Sequence, residues 1–283
     1  MTQMDQRSAL SADMDASTVR ALLTTTRSVR RRLDLEKPVD SDVINECLSL
    51  AVQAPNAAAR QTWRWFVLTD PERRKIIADY VRIGWIEYNR RRPSPRRLRG
   101  ADARASRRML ASAQWLVDNL DRVPVLVIPC LIGAPITDEA QRQLDALNSP
   151  PSGIQFRARL QADSTYYGSI YPAIWSFQLA LRSYGLGSTI TTFHLFFHDL
   201  IAQEIGIPRN ATQIALIPVA HTKGDEFRPA PRLPASEVTI WNDWIAPRPD
   251  ADIRELIVGG VHMSGRREIL AGKGQAKPDS VKL

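Results

Sequence analysis

Residues 166–192 carry the clearest structural signal in the chain and read YYGSIYPAIWSFQLALRSYGLGSTITT. The part from 166 to 184 is apolar almost all round, with small residues between the large ones, which predicts a helix that is buried on most sides. Gly185 is expected to end this helix, because glycine readily adopts the conformation of a helix C-terminus. STITT, residues 188–192, predicts a short strand. A buried helix that turns directly into a strand indicates a fold with both helices and a sheet.

Three other apolar segments predict further strands. VPVLVIPCLI at 123–132 is the most apolar β-branched run, and we expect it to be a central strand because such runs are buried on both faces of a sheet. TWRWFVLT at 62–69 and QIALIPVA at 213–220 predict two more strands. Helical spacing of apolar residues predicts four more helices, which start at or near Ser17, Ser41, Pro71 and Asp199.

The composition is that of a folded globular protein, with 283 residues of which 44% are hydrophobic and 24% charged. No apolar run approaches the length of about 18 residues that a membrane-spanning helix requires. Acidic residues lie where a secretory signal needs an apolar core, so residues 1–16 are interpreted as a disordered leader and the protein as cytoplasmic. Residues 245–283 are interpreted as a C-terminal extension. Cys47 and Cys130 are expected to be buried thiols rather than disulfide or zinc ligands.

The net charge of +8 arises from 38 lysine and arginine residues against 30 acidic ones, and its densest part is Arg90–Arg108. This segment, RRRPSPRRLRGADARASRR, contains nine arginines and one acidic residue. It is either a binding surface for an anionic partner or a solvated connection. It lacks the interleaved aromatic residues that stack on bases, so no nucleic-acid partner is expected.

Several common catalytic motifs are absent. The chain has no GxGxxG after a strand, no GxxxxGK[ST], no HExxH and no GxSxG. His194 and His198 are four residues apart, as metal ligands on a helix can be, but no third ligand is evident. The sequence therefore predicts neither a metal site nor a protein nucleophile.

Four separated pieces together form a recognisable pattern. They are Arg27-Ser28-Val29-Arg30, the loop Ala54-Pro55-Asn56 to Gln61-Thr62-Trp63, the turn Gly185-Leu186-Gly187-Ser188 with Thr191-Thr192, and Arg232-Leu233-Pro234. In this order and spacing they resemble the FMN-dependent nitroreductase family, whose members show an RRSVR-type turn, a PSxxNxQPW loop, a GLG turn after a buried helix, and a late basic residue before a proline. The resemblance extends over the region 17–244.

The resemblance implies an α+β fold: a three-layer sandwich in which a mixed sheet of four or five strands is flanked by helices. It also implies an intertwined homodimer with an FMN at each of two interface sites. The segment EVTIW at 237–241 is then expected to be a strand that crosses to the partner with the tail behind it. The segments at about 85–115 and 133–167 are variable in this comparison, and we expect them to lie at the surface.

By resemblance, each piece of the pattern holds a different part of FMN. Arg27, Ser28 and Arg232 match the phosphate ligands, since guanidinium groups supply forked donors to a phosphate. Arg30 matches the cation that stabilises negative charge near flavin N1 and O2 on reduction. The backbone of Thr192, with Thr191 beside it, is expected near flavin N5. The remaining FMN-binding residues implied by the pattern lie in the second piece and are Pro55, Asn56, Ala57 and Gln61.

The chain departs from the family pattern within that loop. Ala59 replaces the asparagine that commonly bonds the flavin pyrimidine edge, and Asn56 replaces the serine after Pro55. One side-chain hydrogen bond is therefore missing or supplied differently, with Arg60 or Arg228 as candidates to compensate.

The function implied is an FMN-dependent oxidoreductase that takes hydride from NADPH or NADH and passes it to a small-molecule acceptor in a ping-pong reaction. Nitroaromatics or quinones are the family's usual acceptors, and Trp85, Tyr88 or Tyr167 is expected to line the acceptor pocket. Two alternatives stay open. One is a different flavin chemistry on the same fold, such as a natural-product oxidase or dehydrogenase, or a flavin-cleaving enzyme. The other is a flavin-binding protein without turnover.

Overall fold

The computed structural model describes residues 15–91, 100–133, 135, 142 and 158–242. The predicted leader lies almost wholly outside these residues, as do the C-terminal extension and most of the loop after position 133. The elements, in chain order, are α1 (Ala16–Thr25), α2 (Ser41–Ala51), β1 (Trp63–Leu68), α3 (Pro71–Arg91), α4 (Gly100–Asp118), β2 (Val125–Ile132), α5 (Ala158–Gly168), α6 (Tyr171–Ser183), β3 (Leu186–Ser188), α7 (His198–Ile205), β4 (Ala211–Gln213), β5 (Ile217–His221) and α8 (Ala235–Val238).

Aspartate side chains start three of these helices. The carboxylates of Asp15 and Asp40 accept hydrogen bonds from backbone N–H groups in the first turns of α1 and α2. Asp70 accepts one at 2.9 Å from the Arg73 amide at the start of α3, where Pro71 occupies the first helical position. These caps satisfy donors that the helix itself leaves unpaired, which explains why the chain enters helical conformation at these positions.

The sheet has five strands in the order β1-β2-β5-β3, and β4 also pairs with β2. The sequence predicts a mixed sheet, whereas the pairs between these described strands are all antiparallel. Parallel pairing occurs in the isolated bridges Ser28–Ser188 and Gly133–Ala211. Helices α3 and α4 lie between β1 and β2 in sequence and run in opposite directions. The chain therefore enters β2 in the direction opposite to β1, and the two strands pair antiparallel. Arg74 in α3 accordingly donates hydrogen bonds to the Asp121 and Val123 carbonyls just beyond α4.

Helices cover both faces of the sheet, so the predicted three-layer sandwich is confirmed. One core lies between the sheet and helices α2 and α6 and is centred on Phe177, Ile174 and Leu131. The other lies between the sheet and helices α3, α4 and α7 and includes Ile77, Leu120 and Ile201. Within the described residues, no helix is both long and apolar enough to span a membrane.

The predicted helix over 166–184 is two helices in the structure. Helix α5 ends at Gly168 and α6 begins at Tyr171, with Pro172 in its first turn. Proline lacks the N–H that would bond back into the preceding turn, so it starts a helix rather than continuing one. The prediction of burial on most sides is also too strong, because Tyr171 and Trp175 are each 41% exposed.

Three predicted strands differ from the structure. STITT, predicted over 188–192, overlaps β3 only at Ser188, and Thr191 forms an isolated bridge with Leu216. The segment 213–220 is interrupted between β4 and β5: four residue steps from Gln213 to Ile217 lie opposite three steps, from Cys130 to Val127, on β2. One extra residue in one strand is a β-bulge, which sequence alternation does not reveal. EVTIW, at 237–241, does not form the predicted strand. Its first two residues belong to the short helix α8, which begins directly after Pro234.

The two cysteines are free and buried, as predicted. Burial raises the pKa of the Cys47 thiol to about 11 and that of the Cys130 thiol to about 12. Both thiols therefore stay protonated near neutral pH and behave as small apolar core groups.

Candidate functional site

The segment after α1 extends the edge of the sheet next to β3. The Val29 amide donates a 2.9 Å hydrogen bond to the Ser188 carbonyl, and Ser28 bridges the same residue. Gly187 makes this close approach possible: a Cβ on it would lie 2.9 Å from Val29 and 2.7 Å from Thr222. Close packing therefore requires glycine at the second glycine position of the GLG turn. The contact brings Arg27–Arg30 together with the turn at Gly185–Ser188.

Arg30 projects from this edge as a half-buried cation. Burial lowers the pKa of the Arg30 guanidinium. Within the described part of the chain no carboxylate forms a salt bridge with it and no hydrogen-bond acceptor contacts it. A cation that is desolvated without a counter-charge is costly, and such groups are retained where a ligand supplies the missing charge.

Arg30 lines a cavity of about 500 Å³. The cavity lies between α3, α4 and the turn that follows β3, and Arg30 is the one charged residue among its described lining residues. The others are Val81, Trp85, Tyr88, Met109, Leu110, Ala113, Leu116, Val117, Leu120, Ile190, Thr191, Thr192, Phe193, Leu195 and Phe196. Its volume and mostly apolar, aromatic walls are those of a site for a flat organic ring system.

Aromatic rings form one wall of this cavity. Trp85 stacks on Tyr88 at 5.7 Å between ring centroids, and Phe193 meets both rings edge to face at 5.0 and 5.2 Å. Of the three aromatic residues suggested for an acceptor pocket, Trp85 and Tyr88 therefore line the cavity. Tyr167 does not, since it lies on α5 against Tyr166. The expectation that the 85–115 segment lies at the surface is wrong at Trp85, which is only 6% exposed.

The bulge between β4 and β5 positions the threonine pair. Leu216 exchanges two backbone hydrogen bonds with Thr191, of 2.9 and 2.8 Å. The Thr191 amide is consequently used within the protein. The Thr192 amide donates no hydrogen bond in the described structure, and Thr192 is among the residues that line the cavity.

Arg27 contacts the late part of the chain. Its guanidinium donates a 2.7 Å hydrogen bond to the Arg228 carbonyl. Arg232 is exposed, and its described hydrogen bond goes to the carbonyl of Pro231 beside it. The structure therefore brings Arg228 to Arg27, and the assignment of Arg27 and Arg232 to one phosphate stays a prediction.

The loop from Pro55 to Gln61 is exposed and has an unusual backbone. Ala58, Ala59 and Gln61 have φ angles of 51°, 50° and 47°, in the left-handed region that non-glycine residues rarely occupy. Two side chains hold it in this form. The Asn56 Oδ1 accepts a hydrogen bond from the Gln61 amide at 3.0 Å, and the Ser169 Oγ accepts one from the Ala57 amide at 3.1 Å. Asn56 thus stabilises the loop itself.

One chain does not bring this loop to the cavity. Through the register of β3 and β5, Ser28 lies level with Val125, the first residue of β2. Gln61 precedes Thr62, whose carbonyl accepts a hydrogen bond from the amide of Ile132, the last residue of β2. Seven residue steps separate these two levels, about 23 Å at about 3.3 Å per residue. Ser28 and the Pro55–Gln61 loop therefore lie at opposite ends of the sheet within one chain, with Thr191 between these two levels.

The sequence analysis missed the contribution of α4 to the cavity. Met109, Leu110, Ala113, Leu116 and Val117 follow helical spacing and would have indicated an apolar helix face. The arginine-rich segment directly before them obscured that signal. Of this segment, residues 92–99 lie outside the described structure, and Arg107 and Arg108 are exposed on α4.

The histidines provide no alternative site. Among the described residues, no group of three or more His, Cys, Asp or Glu side chains is placed to hold a metal ion. His194 is fully buried, and neither ring nitrogen has a hydrogen-bond partner. Burial, with a smaller effect of His198, lowers the pKa of the His194 imidazole to about 3, so the ring is neutral at physiological pH.

Comparison with known proteins identifies the family. Residues 23–221 match the Nitroreductase family. An NADH dehydrogenase of Thermus thermophilus is 27% identical over 216 residues, which are 76% of this chain and 91% of that protein.

Solved structures share the fold. A BluB-like flavoprotein from Clostridium difficile superposes with a TM-score of 0.57 at 17% identity, over 81% of this chain and all of the other. Nitroreductase A from Vibrio parahaemolyticus superposes with a TM-score of 0.52 at 16% identity, over 82% of this chain and 78% of the other. Because the match to the family covers more than two thirds of the chain, the chain belongs to the nitroreductase family.

Proposed function

We propose that the protein is an FMN-dependent oxidoreductase that uses NADPH or NADH to reduce a nitroaromatic, quinone or related acceptor. Its family supports a flavin oxidoreductase in general. The single observation that carries the proposal is Arg30, a half-buried cation with no described counter-charge, on the wall of a cavity that otherwise has apolar and aromatic sides. A flavin ring system, which is flat and gains negative charge on reduction, fits both features.

The residues present fit FMN. Arg27 and Ser28 lie on the exposed sheet edge, where Arg27 has donors left beyond the one that bonds Arg228. They would hold the phosphate, with Arg232 as the proposed further ligand. The isoalloxazine ring would lie in the cavity with Arg30 near N1 and O2, and with the free Thr192 amide near N5.

Each residue would contribute binding or electrostatics. Bound FMN supplies hydride acceptance and donation at N5. Arg30 stabilises negative charge near its own guanidinium, Thr192 offers a backbone donor held in place through Thr191, and the rings of Trp85, Tyr88 and Phe193 exclude water from one side. The nicotinamide donor and the acceptor would use the same open face in turn, which corresponds to a ping-pong order.

We propose that two chains complete each site. The Pro55–Gln61 loop lies about 23 Å along the sheet from Ser28, so a partner chain is the simplest source of a loop at the flavin. Helix α6 presents Tyr171 and Trp175, four residues apart and each 41% exposed, as apolar surface for such contact. Pro55, Asn56, Ala57 and Gln61 of one chain would then face the cavity of the other.

Steady-state kinetics test the proposed reaction. Initial rates are measured at several fixed acceptor concentrations while NADPH, and separately NADH, is varied. Parallel double-reciprocal lines with at least one of the two nucleotides are expected for a ping-pong order. Intersecting lines would contradict the shared face, and no turnover with any quinone or nitroaromatic would contradict the proposed activity.

A further inference from the structure

Phe227 lies between two arginine side chains in the segment after β5. The Arg32 guanidinium carbon is 4.1 Å from the centre of the Phe227 ring, and that of Arg182 is 4.8 Å from it. Both distances are within the range of favourable cation–π contacts. Arg32 follows the Arg27–Arg30 segment and Arg182 lies near the end of α6, so the Phe227 ring connects three separate parts of the chain.

The same two arginines also bind the backbone around Phe227. Arg32 donates to the Lys223 and Glu226 carbonyls at 2.9 and 2.7 Å. Arg182 donates to the Asp225 carbonyl at 3.0 Å. Among the described residues neither Arg32 nor Arg182 forms a salt bridge, although they bond the backbone carbonyls of two acidic residues, Glu226 and Asp225. Both guanidinium groups therefore serve to hold the 223–227 backbone.

Gly224 allows this arrangement. Its φ is +75°, and a Cβ on it would lie 2.9 Å from an Nη atom of Arg32. The amide of Lys223 also donates a 2.7 Å hydrogen bond to the Arg32 carbonyl. The path of the chain through this segment is thus fixed by contacts on both sides.

The residue directly after Phe227 is Arg228, whose carbonyl accepts the hydrogen bond from Arg27. We propose that Phe227, Arg32 and Arg182 are positioning residues: they fix the 223–228 segment so that the Arg228 carbonyl aims the Arg27 guanidinium at a phosphate monoester. The inference rests on the proposed function, since it assigns the FMN phosphate to Arg27. It predicts that Phe227 governs recognition of the phosphate and leaves recognition of the flavin ring unchanged.

The test compares FMN with riboflavin, which has the same ring system and no phosphate. Each flavin is titrated into the full-length chain and followed by flavin fluorescence, for wild type, Phe227→Ala, Phe227→Tyr and Arg182→Gln. The control is Leu233→Ala, an exposed position in the same late segment. The FMN dissociation constant is expected to rise about tenfold in Phe227→Ala and severalfold in Arg182→Gln, while the riboflavin constant changes by less than about twofold. Phe227→Tyr and Leu233→Ala are expected to match wild type.

A second readout needs no flavin. Trypsin cleavage after the exposed Lys223 is expected to be faster in Phe227→Ala and Arg182→Gln than in Leu233→Ala, because the 223–228 segment is released. Equal loss of FMN and riboflavin affinity, or faster cleavage with no loss of FMN affinity, would overturn the positioning role. A wild-type chain that binds FMN no better than riboflavin would instead refute the proposed phosphate site, and with it this inference.

Discussion

The backbone of Gly84 in α3 lies directly against the carbonyl of Phe193: a Cβ on Gly84 would be 2.3 Å from that oxygen. This close approach seats α3 on the turn that follows the threonine pair. It also brings Trp85 and Tyr88 into contact with the Phe193 ring. The absence of a side chain at Gly84 therefore allows α3 to approach closely enough for Trp85 and Tyr88 to form the aromatic wall with Phe193.

Gly84→Ala is expected to push α3 away from the turn. Inserting one methyl group at a backbone contact typically costs about 1–3 kcal/mol of stability. The matched control is Gly168→Ala, because a Cβ at Gly168 meets no atom within 4 Å. Urea denaturation of both variants checks this, and Gly84→Ala as stable as Gly168→Ala would show that the contact is not tight.

Arg30→Ala is expected to lower the midpoint potential of bound flavin and to slow hydride transfer. The reason is the loss of a charge-assisted contact of about 1.5–3 kcal/mol to the reduced ring. Arg31→Ala, at the exposed neighbouring position, is the control. Redox titration of the FMN-loaded proteins measures the potential, and an unchanged value in an Arg30→Ala protein that still holds FMN would exclude this role.

Replacement of both Arg27 and Arg232 by alanine is expected to release FMN during gel filtration, because two phosphate cations are removed. The single variants separate their contributions. Since Arg27 is held in place by the Arg228 carbonyl whereas Arg232 is exposed and, in the described structure, bonds only the neighbouring Pro231 carbonyl, Arg27→Ala is expected to have the larger effect. A double variant that keeps all of its FMN would place the phosphate elsewhere.

His194→Leu is expected to make the protein less sensitive to acid. Burial lowers the pKa of the folded-state imidazole to about 3, against 6.5 for the ordinary side chain. Between these values only the unfolded chain binds the proton, so stability falls as the pH drops below about 6.5, by about 2 kcal/mol at pH 5. Urea denaturation at pH 7 and pH 5 checks this: the loss on acidification should shrink by about that amount in the variant, and an equal loss in both proteins would contradict it.

Mixing two inactive variants tests whether the sites are shared between chains. One variant carries Arg27→Ala with Arg30→Ala, and the other carries Asn56→Ala with Gln61→Ala. If each site takes its arginines from one chain and its loop from the partner, every mixed dimer has one unaltered site. Co-expression in equal amounts should then give about a quarter of wild-type activity. Activity no higher than that of the separate variants would mean that each site lies within one chain.

The sequence predicted the parts of the fold that depend on local pattern. The apolar run at 123–132 is the central strand β2, and the capping residue before Pro71 starts α3. The GLG turn lies where the pattern requires, because Gly187 is needed for contact with Val29. These features follow from side-chain periodicity and backbone sterics, which a sequence shows directly.

The rest depends on contacts between distant residues. Tertiary packing determines the bulge that pairs Leu216 with Thr191, and it determines the hydrogen bond from Arg27 to the Arg228 carbonyl. The cavity needed the apolar face of α4, which the arginine-rich sequence around it concealed. The separation of the Pro55–Gln61 loop from Ser28 becomes visible only once the register of the strands is known.

The central claim is that this chain binds FMN and takes hydride from a nicotinamide nucleotide. The most direct measurement is the absorbance spectrum of the purified, FMN-loaded protein, recorded before and after anaerobic mixing with NADPH or NADH. We expect a flavin spectrum that is bleached by at least one of the two nucleotides and returns when a quinone is added. A protein that holds no flavin after incubation with FMN, or a bound flavin that neither nucleotide bleaches, would contradict the account.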